Sequence, residues 1–393
     1  MLKNKIVIGL ISHCFEDNNL GCVALSISNM LIIDQAVKEL GIEVFYVIMV
    51  NEKEKQPKLL YSKAHYEYRI YSSTKKTIRN PIRLLKTKIF DDCDVVFNLC
   101  AGDGFTDIYG LGRVFSGSYM TLICSLKKTP LVLAPQTIGP FQNSFSRIYA
   151  KYVLSKCSYI FARDHLSYKF CYNMGVAEKC REVIDVAFAL PFEKKELNSN
   201  LNIGINVSGL LFNDNSNRFS LSFNYRDYIK RIVAHLIETG WNVHLISHVN
   251  IMSERGEDDY AACAAIHKDY PESIIVPRFC SPIDAKGYIS GLNLFHGARM
   301  HATIAAISSG IPTIPFAYSR KVNGLYGNLE YQYYIDGKQK GIDCNVAVSQ
   351  FKEYTKDISK LKEAVKRCKH IYENELARYK EYIKDIIRNL DTI

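Results

Sequence analysis

Asn293–Gly310 reads NLFHGARMHATIAAISSG, and its reading decides the fold. A short apolar stub, Leu294-Phe295, runs into His296-Gly297-Ala298. Arg299, Met300 and His301 follow, then the small-residue run Ala302-Thr303-Ile304-Ala305-Ala306. Gly310 closes the run, and Ile311–Pro315 reads as the next strand. The pattern predicts strand, tight turn, short helix, glycine stop and strand, as in a parallel α/β sheet. Gly297 supplies the turn without a Cβ clash, and the alanines let the helix press closely on a sheet. A helix start presents unpaired N–H groups and the positive end of its dipole, so it favours an anion. Arg299 adds a planar fork suited to carboxylate or phosphate. His301 adds a group that moves a proton near neutral pH. In open α/β sheets ligands bind outside the carboxyl ends of the strands. That rule makes Arg299 and His301 candidate catalytic residues and Gly297 a candidate binding residue. The competing reading is a core histidine beside a surface arginine.

Working outward from this stretch, residues 201–290 read as a βαβ series. Leu201–Ser208 and Trp241–Ser247 are strands, Tyr225–Glu238 is an amphipathic helix stopped at Gly240, and Asp258–Lys268 is a helix. Ser273–Val276 and Pro282–Ser290 complete the series as strand and helix. Asn206, Ser208 and His248 fall at strand ends, where Asn206 and His248 are candidate substrate contacts. Residues 319–347 lack periodicity and are expected to form a mobile lid. From Lys352 onward the chain is helical in pattern, with Leu361, Val365, Cys368, Tyr372, Leu376, Tyr379, Ile383 and Ile386 at helical spacing.

A similar series opens the chain. Lys5–Ser12 is a buried strand, Val23–Leu40 a helix stopped by Gly41, and Glu43–Val50 a second strand. The loop between them, with Asn19 and Gly21, therefore lies at a ligand edge. Asp94–Leu99 is a strand followed by the glycine-rich Cys100–Gly112, in which Gly102 and Asp103 are candidate contacts. Pro130–Pro140 (PLVLAPQTIGP) runs from strand to loop and brings Gln136 and Gly139 to the same edge. Phe145–Ser155 is a helix and Tyr159–Ala162 a strand ending in Ala162-Arg163-Asp164-His165-Leu166-Ser167. Arg163 either faces the ligand edge or pairs with Asp164 or Asp185, and Asp164 or Ser167 caps the next helix. No complete GxGxxG is present, so no dinucleotide cofactor is indicated. Pro191–Asn200 is the linker candidate.

Three of these segments, PQTIGPF, ARDHLS and GARMHATIAAISSGIP, stand in order and each at a strand end. Together they resemble the polysaccharide pyruvyl transferase family over roughly residues 1–330. The loop at Asn18–Gly21 is similar to the family's Asn-X-Gly-Asp loop, with Cys22 where an aspartate is usual. Ala101-Gly102-Asp103-Gly104 interrupts the usual triple glycine. Val183–Leu190 resembles the family's Asp-Pro-Ala-Phe strand, with Val186 in place of proline.

The expected architecture is α/β, two Rossmann-like domains facing across a cleft in a GT-B-like arrangement. Residues 1–195 form the acceptor side and residues 196–393 the donor side. By analogy with two-domain glycosyltransferases, the C-terminal helix crosses back to the first domain. The resemblance implies transfer of pyruvate from phosphoenolpyruvate to a pair of sugar hydroxyls, forming a cyclic ketal in cell-surface glycan biosynthesis. It implies that Arg299 and Arg163 grip the donor's two anionic groups and that His301 is the acid/base. It requires neither a metal nor an organic cofactor, phosphoenolpyruvate being a co-substrate. The rival enzyme is a GT-B glycosyltransferase using a nucleotide-sugar. The non-enzymatic rival is a peripheral binding module.

Composition sets further bounds. The chain has 393 residues, enough for two domains, and 48% hydrophobic residues, ordinary for a globular protein. Its 12 cysteines show no CxxC pair or zinc spacing, so they read as buried thiols in a reducing compartment. The N-terminus does not read as a signal peptide, and no stretch approaches the ~18 apolar residues of a membrane span. A cytoplasmic location is expected, with peripheral contact at the inner face of the membrane. Nearly all of the net charge of +10 comes from Lys55–Lys88, with its interleaved tyrosines. That stretch suits a solvated face, an anionic membrane or a lipid-linked glycan acceptor. No nucleic-acid-binding motif is present.

Overall fold

The computed structural model describes residues 4–51, 64–71, 80, 86–108, 110–197, 201–251 and 257–390. These form two compact units. The first comprises Met1–Glu16, Leu25–Val186 and Asn374–Ile393, and the second Asp17–Ala24 and Ala187–Glu373.

The first unit carries strands β1 (Lys5–Ile11), β2 (Glu43–Asn51), β3 (His65–Tyr71), β4 (Val95–Asn98), β5 (Leu131–Gln136), β6 (Tyr159–Ala162) and β7 (Cys180–Glu182). Among the described residues they form one parallel sheet in the order β3-β2-β1-β4-β5-β6-β7. The near-continuous apolar runs of β1, β2, β4, β5 and β6 fit a sheet covered on both faces. Helices α1 (Leu20–Glu39), α2 (Leu111–Leu126), α3 (Ser144–Lys156) and α4 (His165–Asn173) connect them. Asn143 caps α3 and Asp164 caps α4, each accepting a backbone N–H.

In the second unit, β8 (Asn202–Asn206), β9 (Asn242–Ile246), β10 (Ile274–Ile275), β11 (Leu294–Gly297), β12 (Thr313–Ala317) and β13 (Ile335–Asp336) are again parallel. Their order is β10-β9-β8-β11-β12-β13. The helices are a single turn α5 (Gly209–Phe212), then α6 (Tyr225–Glu238), α7 (Asp259–Asp269), α8 (Pro282–Ile289), α9 (Met300–Ser308), α10 (Arg320–Asn328) and α11 (Cys344–Lys356). Helix α6 is built from local signals. Asn224 caps it, Tyr228, Ile229, Ile232, Val233 and Leu236 fall on one buried stripe, and Gly240 ends it with φ 81°.

The last helix, α12 (Ile358–Arg388), is separated from α11 at Asp357. Its first half buries Leu361, Val365, Cys368 and Tyr372, the last stacked on Phe188 of the second unit. From Asn374 it belongs to the first unit, as the crossing-back expectation requires. There the Tyr379 hydroxyl donates to Asn29 Oδ1 at 2.8 Å, and Lys380 and Lys384 pair with Glu39.

Several expectations need correction. The unit boundary falls after Val186 rather than at 195. The stretch that follows docks on α8: buried Lys286 donates Nζ to Leu190 O, and Lys195 N donates to Ser290 Oγ. Gly287 and Gly291 leave room for this, since an added Cβ would lie 2.7 Å from Glu193 O and 2.6 Å from Lys195 O. Asp17–Ala24, expected in the first domain, belongs to the second unit because it pairs with the segment after β9. Val183–Leu190 is not a strand: Val186–Ala189 is a 3-10 turn.

Residues 319–347 do not form a lid. Tyr326 and Tyr331 are buried, hydrogen-bonded to Thr303 and Thr313 respectively, and Ile335 pairs with Phe316. Strand β3 and helix α2 lie where the sequence showed little pattern. Helix α1 is in fact long and apolar enough to span a membrane by composition, but it is mostly buried as a core helix.

Within the basic stretch, Arg69 is paired with Glu67 and Asp92. Lys55, Lys58, Lys63, Lys75, Lys76, Arg79 and Arg83 lie outside the described residues. None of the 12 cysteines forms a disulfide.

Candidate active site

The order β10-β9-β8-β11-β12-β13 reverses between β8 and β11, the point where an open α/β sheet binds ligands. Asn206 ends β8 and Gly297 ends β11, side by side in register. Asn206 is fully buried. Its Oδ1 accepts the Arg299 N–H at 2.9 Å, and its Nδ2 donates to Ile246 O at 3.0 Å, tying three strand ends together. A Cβ on Gly297 would lie 2.8 Å from Asn206 Cβ, so glycine is needed for close approach rather than for a turn of positive φ. Asn206 and Gly297 therefore shape the site as scaffold.

Arg299 occupies the cap position of α9, with extended backbone and no side-chain cap. The surface-arginine alternative does not hold. Its guanidinium grips Asp259, Nη2 to Oδ1 at 2.7 Å and Nε to Oδ1 and Oδ2 at 3.1 and 3.2 Å. Nη2 also donates to Glu257 O, while Nη1 makes no hydrogen bond among the described residues. Burial works against the charge of Arg299, but Asp259 more than offsets it and raises the pKa.

Asp259 is the hub that sequence reading missed. It is fully buried at the first position of α7, and besides Arg299 it accepts the N–H groups of Gly209, His248 and Val249. Its neighbour Asp258 does the ordinary work of a helix cap and pairs with Arg278. The Asp-Asp pair at a helix start was the available signal, since only one carboxylate of such a pair serves as the cap.

His301 lies in the first turn of α9. Its ring rests on Gly21: a Cβ there would sit 2.2 Å from Nδ1. Gly21 is held by Asn19, whose Oδ1 accepts its N–H at 3.1 Å. Asn19 bridges to Val249, Leu20 N donates to His248 O, and Asn250 N donates to Asn18 O. The loop expected to touch ligand thus backs the imidazole. Replacing Gly21 with alanine is expected to push the ring from its position, lowering kcat at least about tenfold while the thermal midpoint moves little. Steady-state kinetics beside a melting curve checks this, and an unchanged kcat would mean that the ring's position is immaterial.

His248 is buried, and its pKa is pushed down to about 3, first by burial and then by the charges of His301 and Arg299. It is a neutral ring at physiological pH, and its backbone, not its charge, orders the site. The other histidine of the opening stretch, His296, is a core residue bonded to Ile314 O and packed edge-on against Phe351.

The first sheet has its own reversal, between β1 and β4. Cys100, Ala101 and Gly102 after β4 all take left-handed backbone, with φ of 46°, 51° and 86°. A Cβ on Gly102 would lie 3.1 Å from Arg163 Nη1. Arg163 donates Nη1 to Asp185 Oδ2 at 2.8 Å and Nε to Thr137 Oγ1 at 2.9 Å. Gln136 is buried, donating to Asn98 O and Ala134 O, and its backbone oxygen accepts the Arg163 N–H. Gly139 packs on the Phe170 ring, with φ 71°, and supports the loop. Asp103 ends the turn after β4. Of the two partners offered for Arg163 the structure selects Asp185 rather than Asp164; Thr137 was not foreseen.

The structure therefore gathers Asn19, Gly21, Asn206, His248, Gly297, Arg299 and His301 in the second unit. Gly102, Asp103, Gln136, Gly139 and Arg163 belong to the first. Among the described residues, no group of three or more His, Cys, Asp or Glu side chains could hold a metal ion.

Two parallel sheets, each with a central order reversal and flanking helices, define a protein of two Rossmann-like domains, GT-B-like in class. Solved structures agree in fold. A glycosyltransferase from Rickettsia africae ESF-5 matches with TM-score 0.62 at 11% identity, covering 98% of this chain and 100% of that one. Anabaena Alr3699/HepE in complex with UDP and glucose matches with TM-score 0.60 at 11% identity, covering 98% and 99%. UDP-GlcNAc 2-epimerase from Neisseria meningitidis bound to UDP-GlcNAc matches with TM-score 0.59 at 10% identity, covering 98% and 99%. The polysaccharide pyruvyl transferase family matches residues 19–320, and the chain belongs to that family. The amylovoran biosynthesis protein AmsJ of Erwinia amylovora is 22% identical over 249 residues. That match spans 58% of this chain and 58% of AmsJ.

Proposed function

We propose that this protein transfers pyruvate from phosphoenolpyruvate to two hydroxyls of a glycan, making a cyclic ketal in cell-surface polysaccharide biosynthesis. Family membership supports the reaction class. The observation that carries the site assignment is the position of Arg299 and His301 immediately after β11, at the reversal of the second sheet.

In this reading the start of α9 and the Nη1 edge of Arg299, unpaired among the described residues, hold the donor's anionic groups. The hydroxyls of Ser208 and Ser247, buried at the ends of β8 and β9 without a hydrogen-bond partner among the described residues, suit phosphate oxygens. One sugar hydroxyl adds to C2 of the enol phosphate as C3 takes a proton. The C2–O bond to phosphate then breaks, and the second hydroxyl closes the ring and loses its proton. His301 is the acid/base that carries these protons, and no cofactor is needed. Arg163, expected to grip the donor, is buried in the first unit and held by Asp185 and Thr137, so it is read as ordering that sheet's ligand edge. The reaction then belongs on the cytoplasmic side of the membrane, where phosphoenolpyruvate is available.

Arg299→Lys tests the donor assignment. It keeps a cation beside Asp259 but loses the fork, whereas alanine would strand a buried carboxylate. The KM for phosphoenolpyruvate is expected to rise about tenfold or more, with kcat less affected. An unchanged KM removes Arg299 from donor binding. Phosphate release without nucleotide release, across a panel of donors, separates pyruvylation from nucleotide-sugar transfer.

A further inference from the structure

The outward face of α3 is unusual for a solvated helix. Phe145, Ile148 and Tyr152, at i, i+3 and i+7, are exposed to 58%, 72% and 53%. Buried Ser146, Ala150, Val153 and Leu154 hold the opposite side of the same helix. The apolar stripe extends beyond α3. Asp107 accepts the backbone N–H groups of Gln142 and Asn143 and the Ser146 hydroxyl, which brings the segment before α2 against the start of α3. That segment exposes Ile108 at 57%, and the first residue of α2, Leu111, at 40%. Phe115 of α2 packs against Phe145 and Tyr149, so the two helices form one surface.

Charge says what this surface meets. Neither α2 nor α3 contains an acidic residue. Arg147 and Lys151 flank the stripe on one side of α3, and Lys156 on the other, its Nζ over the Tyr152 ring. All three are exposed and form no ion pair among the described residues. Asp107 is spent on the helix start: burial works against its charge, but the hydrogen bonds from Asn143, Ser146 and Gln142 hold it below its ordinary range. A protein partner would be expected to meet such a face with acidic side chains at fixed positions. An apolar stripe between basic flanks instead matches the layered chemistry of an anionic bilayer, with acyl chains below and phosphates beside them.

We propose that this α2–α3 face docks the first unit on an anionic lipid membrane. Ile108, Leu111, Phe145, Ile148 and Tyr152 enter the boundary between headgroups and acyl chains, while Arg147, Lys151 and Lys156 meet lipid phosphates. The proposal uses no residue of the 55–88 stretch and does not depend on the reaction proposed above.

The full-length protein is to be sedimented with equimolar phosphatidylglycerol–phosphatidylcholine vesicles and with phosphatidylcholine vesicles alone. The wild type is expected to pellet with the anionic vesicles at low salt only. Ile148→Ser with Tyr152→Ser, and separately Arg147→Glu with Lys151→Glu, are each expected to lower partitioning at least about tenfold. Lys75→Glu with Lys76→Glu is expected to keep most of it. In an Ile148→Trp variant the emission should shift to the blue on binding, since the one native tryptophan, Trp241, lies in the second unit. Wild-type sedimentation by both α3 double variants, loss confined to the Lys75/Lys76 variant, no pelleting of the wild type, or no shift in Ile148→Trp would each overturn the proposal. Phosphate release with a water-soluble acceptor should be unchanged in the α3 variants, so a failed reaction and a failed docking surface are read separately.

Discussion

Replacing His301 with alanine is expected to lower kcat by about 100–10,000-fold, the usual range for loss of a general acid/base, while the fold persists. The ring sits in the first turn of α9 against Gly21 rather than inside the apolar core. Its removal leaves the Asn206–Arg299–Asp259 connections intact, because none of them passes through the imidazole. The KM for phosphoenolpyruvate should change less than kcat, since the guanidinium and helix-start groups remain. Phosphate release in the presence of acceptor is the measurement, with a melting curve as control. Wild-type turnover in a folded His301→Ala protein would rule out proton transfer by this residue. His301→Gln should be as inactive as the alanine variant, because the amide keeps polarity without a transferable proton.

The second large effect belongs to Asp259, through stability as well as activity. Asp259→Ala removes the acceptor of five N–H groups: those of Gly209, His248 and Val249, and Arg299 Nε and Nη2. Breaking a buried ion pair by deleting one partner costs about 3–5 kcal/mol, because the surviving charge is left uncompensated. For a unit of this size that corresponds to a fall of roughly 10 °C in its unfolding midpoint. Asp259→Asn keeps an oxygen for some of the backbone donors and should unfold less readily than the alanine variant. It should still raise the KM for phosphoenolpyruvate, because Arg299 loses the charge that aims it. Calorimetry and donor titration of both variants give the answer. Midpoints and KM values indistinguishable from wild type would mean that the Asp259 network carries neither role.

The difference between these two residues shows what was legible. Arg299 and His301 could be found because local signals place them: an apolar stub, a glycine, then a run of alanines fixes where β11 ends and α9 begins. Helix α6 was equally legible, since a 3.6-residue apolar period fills it and Asn224 and Gly240 flank its two ends. Strand β3 (HYEYRIY) was not, because it is the edge strand of its sheet and needs no apolar run to cover both faces. The segment expected to be a lid misled for a related reason. Tyr326 and Tyr331 look like loop residues until Thr303 and Thr313 supply hydrogen bonds that let them be buried.

What the amino-acid order determined by itself was the alternation of strand and helix, twice over, and the residues that follow each strand. Those properties depend on periodicity, caps and glycines within a dozen residues of one another. Only the tertiary structure decided that the Asn19–Gly21 loop backs His301, that Asp259 rather than Asp258 grips Arg299, and that Arg163 is committed to Asp185 and Thr137. Each of these pairs lies tens to hundreds of residues apart along the chain, or turns on which of two adjacent carboxylates faces inward. Such choices are made by burial, where an unpaired charge or N–H is too costly to leave, and no local pattern records which distant partner will meet it.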